Sequence, residues 1–101
     1  MKPTEQLVWV IYDIGENKVR ASVARKCKAA GLYRVQKSVF LGTIAHNRLD
    51  ELALTIERLI DMANDSVYIF PMCRPDFLKV LLMGQAFDKK MVTDEVLALF
   101  A

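Results

Sequence analysis

Leu7 to Ile14 (LVWVIYDI) is apolar at nearly every position and rich in β-branched and aromatic residues. That pattern reads as a central strand covered on both faces, closed by one charged residue, Asp13. A period of two puts Leu7, Trp9, Ile11 and Asp13 on one face. Gly15-Glu16-Asn17 then breaks the strand and opens a helix, where Val19, Val23, Cys27 and Ala30 recur every three or four residues. Gly31 is placed to stop it. Tyr33 to Ala45 (YRVQKSVFLGTIA) holds two short strands, divided near Lys37-Ser38 or at Gly42, and needs a bulge or tight hairpin. Asn47 is placed to cap a second helix, with Leu49, Leu52, Ala53, Ile56, Leu59, Ile60 and Ala63 on its inner face and Asn64-Asp65 at its end. Ser66 to Met72 (SVYIFPM) reads as a strand apolar on both sides, and Pro71 argues for an edge or terminal position. Cys73-Arg74-Pro75-Asp76 reads as a turn and Phe77 to Met83 (FLKVLLM) as a strand ending at Gly84. Thr93 to Phe100 (TDEVLALF) fits a strand or a short helix and is too apolar to be left free.

The predicted order is β-α-β-β-α-β plus a tail: an α+β, ferredoxin-like arrangement with an antiparallel sheet and both helices on one face. We expect one domain over residues 1–101, with a core at about 7–83 and a docking tail at 84–101. The second sheet face would then be bare in a monomer, although its strands are apolar on both sides. With 53% hydrophobic residues in 101, a twofold-related copy is the simplest cover.

Charge adds a direction to this picture. The net charge is only +2, yet residues 1–50 carry nine Lys or Arg against four Asp or Glu, and residues 51–101 carry five against eight. Between Asn17 and Leu49 there is no acidic residue, while Lys18, Arg20, Arg25, Lys26, Lys28, Arg34, Lys37 and Arg48 all fall there. Such a stretch suits a phosphate-facing surface, or a solvated helix face. No apolar run is long enough to span a membrane and the N-terminus lacks the pattern of a signal peptide, so a cytoplasmic protein is expected. Cys27 and Cys73 form no CxxC pair and read as reduced thiols.

Asp13 is the one carboxylate at the end of a predicted core strand. It can serve a hard divalent cation, which takes oxygen ligands and keeps several waters, or it can cap the helix that follows. In a sheet-to-sheet dimer two Asp13 side chains could hold one metal between them and activate water on a phosphodiester. Arg20, Arg34 and Lys37 could clamp phosphates, a contact that positions nucleic acid without reading its sequence. Phe40 could stack on a base or belong to the core. His46, at a strand–helix junction, reads as a polar junction residue more than a general base. No phosphate loop, nucleophile elbow or zinc motif is present.

The Asp-terminated strand VWVIYDI, the basic helix after it, RVQKSVFLG, LDELALTIERLID and SVYIFPMC together resemble the CRISPR-associated protein two family, the small partner of the CRISPR spacer integrase. The resemblance runs from about Leu7 to Cys73. It implies a ferredoxin-like homodimer that binds duplex DNA, bridges the integrase (CRISPR-associated protein one) and takes part in spacer acquisition. It further implies a metal-dependent endonuclease, acting on DNA or single-stranded RNA, with Asp13 as catalytic carboxylate and ligand to Mg²⁺ or Mn²⁺. Lys18, Arg20, Arg34, Lys37 and Phe40 are the nucleic-acid contacts expected on that basis, and Val96 to Phe100 suits a tail that docks on the dimer mate or the integrase. A toxin-type endoribonuclease of the same fold is the alternative. A ligand-sensing regulatory domain would need a small-molecule pocket, and no Gly-rich turn suggests one.

Overall fold

A computed structural model describes residues 4–84. The expected strand or helix at Thr93–Phe100 and most of the expected docking tail lie outside those residues. Four strands, β1 (Glu5–Asp13), β2 (Tyr33–Gln36), β3 (Val39–Ala45) and β4 (Ser66–Met72), form one antiparallel sheet in the order β2-β3-β1-β4. Helices α1 (Asn17–Ala29) and α2 (His46–Leu59) supply the crossovers. A one-turn helix, α3 (Arg74–Leu78), follows β4. The ferredoxin-like order read from the sequence is therefore the order observed.

Strand β1 lies inside the sheet because it is the segment whose two faces are both apolar. On one face Val8, Val10 and Tyr12 pack with Val23 and Cys27 of α1, Leu52 and Ile56 of α2, and Phe40 and Ile44 of β3. On the other, Leu7 and Trp9 pack with Val35, Leu41 and Phe77. Helix α1 ends in a Schellman turn: the Leu32 N–H donates to Cys27 O at 3.1 Å, the Gly31 N–H to Lys28 O at 3.0 Å, and Gly31 takes φ 90°. Gly42 is needed for a different reason. A Cβ there would meet Leu32 Cα at 3.3 Å, so β3 can run close under the α1–β2 corner only without a side chain. The anticipated irregularity is a bulge between Arg34 and Gln36, and the β2–β3 turn falls at Lys37-Ser38.

Four expectations need correction. Helix α2 stops at Leu59, not at Asn64-Asp65, because two carboxylates capture the next turn. Asp65 accepts from the Asp61 N–H at 2.9 Å, and Asp61 accepts from the Ala63 N–H at 3.0 Å. The helix begins at His46 with Ala45 in the N-cap position, so Asn47 lies inside the first turn and makes no cap, and the His46 N–H is satisfied by Thr4 O at 3.1 Å. The segment at Phe77–Met83 is not a strand, and the preceding turn is the start of α3. Pro75 sits in the first turn of α3, where its missing N–H is harmless, and the Phe77 N–H donates to Cys73 O at 3.1 Å.

The fourth correction follows from α3. The second sheet face is not bare, because α3 swings Phe77 onto it, with its ring 6.4 Å from that of Trp9, and Val80 packs beside it. Along the outer strand β4 that face stays open. There Tyr68 and Phe70, on the outer side of edge strand β4, are 56% and 47% exposed with rings stacked 6.1 Å apart. Strand β4 is thus apolar on both sides but buried on neither. No helix among the described residues is long and apolar enough to cross a membrane.

Two outcomes test this core. Phe77→Ala should lower the unfolding free energy by about 3 kcal/mol in urea titration, while Leu78→Ala, at an exposed neighbouring site, should change it by less than about 0.5 kcal/mol. Burial pushes the Cys27 thiol up from 9.0 to about 12. The folded state therefore holds this proton where the unfolded chain has lost it. Its contribution to stability is complete below about pH 9 and declines as pH rises toward 12. Urea melts of the Cys27→Ala protein should show a shallower loss over that window than the parent.

Candidate functional site

The C-terminal end of β1 is where the chain's polar loops converge. Asp13 is the last residue of the strand, exposed, on the face of Trp9 and Ile11, and in register with Ser66. Past it run the β1–α1 loop, the β2–β3 turn and the α2–β4 loop. The turn is tied to the strand by the Tyr12 N–H donating to Ser38 O at 3.0 Å. The α2–β4 loop is tied by Asp65, whose Oδ1 accepts from the Gly15 N–H at 3.1 Å while its Oδ2 holds Asp61. Asp61 is kept below the usual carboxylate range by the Asn64 side-chain amide and the Ala63 N–H.

Helix α1 is not capped by Asp13. Its N-cap residue is Glu16 and no side-chain capping bond is made. Among the described residues no hydrogen bond or ion pair engages the Asp13 carboxylate. A carboxylate at the surface with nothing to neutralise it is available to an external cation or donor.

The two arginines are held differently from expectation. Arg20 donates from Nη1 to Ile14 O at 2.8 Å and from Nη2 to Asn17 Oδ1, so its guanidinium braces the β1–α1 loop. Arg34 donates from Nε and Nη2 to Lys37 O at 3.1 and 2.7 Å, gripping the β2–β3 turn from below. The same guanidinium lies 5.8 Å from the centre of the Phe40 ring, a cation–π distance. Both side chains therefore order the loops beside Asp13, each spending donors on backbone carbonyls. The Lys18 and Lys37 ammonium groups are exposed and unpaired among the described residues.

Phe40 is corrected outright as a base-stacking residue. Its ring is fully buried on the helix side of the sheet, stacked on Tyr12 at 6.3 Å, and has no face to offer a nucleobase. Burial also raises the Tyr12 hydroxyl, partly offset by the charge of Arg34. His46 lies at the opposite end of β1, near the Glu5–Ala45 pair, and takes no part in this corner. Asp61 and Asp65 are the functional-end residues that the sequence reading passed over. Their signal was an Asp at each end of a four-residue offset around Asn64, a pattern that closes turns by side-chain-to-backbone bonds.

The metal expectation can be tested on the donor set. No group of three His, Cys, Asp or Glu side chains that could hold a metal occurs among the described residues. Mg²⁺ keeps most of its waters and needs only one or two carboxylates. Asp13 alone thus fits as half of such a site, to be completed by a second copy or by substrate phosphate.

Fold and site together define a class: a small ferredoxin-like protein with one unencumbered strand-end carboxylate in a loop cluster flanked by free lysines. The family model for CRISPR associated protein Cas2 matches residues 6–80, and the chain belongs to that family. It is 45% identical over 67 residues to the CRISPR-associated endoribonuclease Cas2 of Desulforudis audaxviator, covering 66% of this chain and 63% of the relative. It is 43% identical over 63 residues to a CRISPR-associated endonuclease Cas1/endonuclease Cas2 fusion of Thermoproteus tenax, covering 62% of this chain and 24% of the fusion. The chain thus spans less than two thirds of the length of these two relatives. The crystal structure of Streptococcus pyogenes Cas2 superposes with a TM-score of 0.68 at 25% identity, covering 77% of this chain and 99% of that one.

The bracing role of Asp65 has a direct consequence. Asp65→Ala should cost about 1–2 kcal/mol in stability and speed amide hydrogen exchange at Gly15 and Asp61 by about tenfold. Unchanged exchange at those two amides would show that the loops hold without it.

Proposed function

We propose that this chain is a CRISPR adaptation subunit. Acting as a homodimer, it holds duplex DNA and bridges the Cas1 integrase during spacer acquisition, in the cytoplasm. The observation that carries this reading is the match to a Cas1/Cas2 fusion. A protein that joins two chains covalently is the expected product where the two act in one assembly. The homodimer is supported by what α3 leaves uncovered. Tyr68 and Phe70 form an exposed aromatic pair on the same sheet face as Asp13, and a second copy laid there would bring two Asp13 carboxylates toward one seam.

Within that dimer Asp13 of each subunit would hold a divalent cation, Mg²⁺ or Mn²⁺. The cation would supply an activated water and neutralise charge on a phosphodiester. Lys18 and Lys37 would then draw the substrate backbone to the loops, with Arg20 and Arg34 keeping those loops in place. A second reading is favoured by the names of the relatives. Several are called endoribonucleases, which fits RNA as the cleaved strand and keeps a toxin-type ribonuclease in view.

Asp13→Asn separates the roles. We expect Mg²⁺-stimulated cleavage of single-stranded RNA or duplex DNA to fall by at least about 100-fold, with duplex binding and association with Cas1 within about twofold of the parent. Equal cleavage by the variant would remove Asp13 from catalysis. Failure of the parent chain to co-purify with Cas1 in the presence of duplex DNA would overturn the adaptation reading in favour of the ribonuclease.

A further inference from the structure

Asp13 lies on the sheet face that α1 and α2 do not cover, and so does its cross-strand partner. The β1–β3 pairing ends at Ile11 and Val39, so Asp13 runs past the end of β3 and has a strand neighbour on the β4 side alone, Ser66. Residues directly opposite in an antiparallel pair share a face, with Cβ atoms about 4.5–5.5 Å apart. The pairs Ile11–Tyr68 and Trp9–Phe70 continue along that same face. Ser66 is exposed, as Asp13 is. Among the described residues its hydroxyl makes no hydrogen bond.

The other carboxylates at this end are engaged or belong to the other side of the sheet. Asp65 places Oδ1 on the Gly15 N–H and Oδ2 on the Asp61 N–H. Asp61 accepts from the Ala63 N–H with Oδ1 and from the Asn64 amide with Oδ2. Both of them, with Glu16, line a cleft beside Val19, Leu59 and Ile60, which pack against the helix-side core. The loop that delivers Ser66 is also held firm. The Asp65 N–H donates to Asp61 O at 2.8 Å, so the residue before Ser66 is tied through both backbone and carboxylate. Strand β4 therefore starts from a fixed point, with the Ser66 hydroxyl beside Asp13.

We propose that the Ser66 hydroxyl is the second oxygen that this chain offers to a divalent cation at Asp13, acting through the cation's water shell. A lone carboxylate fixes one point of a hydrated ion. A hydroxyl beside it accepts a hydrogen bond from the shell and fixes a second point without adding charge. Mg²⁺ gives up its waters reluctantly and is held by few protein oxygens, and groups bonded to its ligands set their orientation and the affinity. A neutral oxygen also suits this corner better than a further carboxylate, because a phosphate has to approach the same face and a second negative charge would repel it. This inference rests on the reading of Asp13 as the metal-holding carboxylate. It deepens that reading by giving each subunit a two-oxygen seat, which a second copy or a substrate phosphate then completes.

The test is Mn²⁺ binding to the full-length chain without substrate, read from the electron paramagnetic resonance of the free ion. The parent is compared with Ser66→Ala, Ser66→Thr and Asp13→Asn, and circular dichroism melts check that each variant folds. We expect Ser66→Ala to weaken Mn²⁺ binding about tenfold and Asp13→Asn to weaken it further. Ser66→Thr keeps the hydroxyl on a residue that strands favour, and should stay within about twofold of the parent. In cleavage assays Ser66→Ala should need about tenfold more Mn²⁺ for its half-maximal rate and regain the parental rate at saturation. Parental Mn²⁺ binding by Ser66→Ala would overturn the role of the hydroxyl and leave Asp13 in place. So would equal losses in Ser66→Ala and Ser66→Thr. Parental binding by Asp13→Asn would instead remove the metal from this corner, and the role of Ser66 with it.

Discussion

The structure depends on one constraint: β1 is apolar on both faces and has to be covered on both. An amphipathic strand could have settled for one layer of helices and a wet second face. Val8, Val10 and Tyr12 use the helix layer; Leu7 and Trp9 cannot. The chain answers with α3, a single turn too short to be stable by its own hydrogen bonds. It is held because Phe77 buries its ring against Trp9, leaving 7% of Phe77 exposed. The cover stops short of Asp13 and of Tyr68 and Phe70 on β4, so the same constraint that closes part of the second face leaves the rest exposed.

The same strand also organises the polar end. A strand buried on both sides must end abruptly, and the loops that take over at Ile14 bring backbone groups with no ladder to join. Charged side chains satisfy them: Arg20 on the Ile14 carbonyl, Arg34 on the Lys37 carbonyl, Asp65 on the Gly15 N–H. Charge-assisted bonds of this kind are stronger than neutral ones, and each one commits a donor or acceptor that could otherwise meet a ligand, while the charge itself remains. Among the described residues, the charged side chains left without a hydrogen bond at that end are Asp13 and Glu16 with Lys18 and Lys37.

The fold was legible in the sequence wherever a single local rule decided the outcome. The double-sided apolar run set β1 inside the sheet, Gly31 ended α1, and Pro71 sent β4 to the edge. It was illegible where tertiary contacts overrode local pattern. FLKVLLM has strand-like composition, yet Pro75 and the pull of Phe77 toward Trp9 make its start helical. Ala63 keeps the helical period but loses its place to the carboxylates of Asp61 and Asp65. The site was half legible for the same reason. Position along the chain shows that Asp13 ends a strand, but whether an arginine is free or tied to a carbonyl, and whether Phe40 faces helix or solvent, is decided by partners distant in sequence. The sheet face of Phe40 follows from its pairing with Val10 across the β1–β3 register.

Charge is distributed in a way that bears on how binding and cleavage would coexist. Asp13 has acidic company: Glu16, Asp61 and Asp65 all line the loops at that end. A phosphate backbone approaching this corner meets four carboxylates, with Asp13, beside four cations, Lys18, Arg20, Arg34 and Lys37, so no net positive charge draws it in unless a divalent cation intervenes. The outer face of α1 has no such barrier. On the proposed function, duplex holding by the basic surface would be sensitive to monovalent salt, while engagement at Asp13 would require the divalent metal. One chain could then act as a scaffold without cutting, because holding the backbone and admitting it to the carboxylate are governed by different ions.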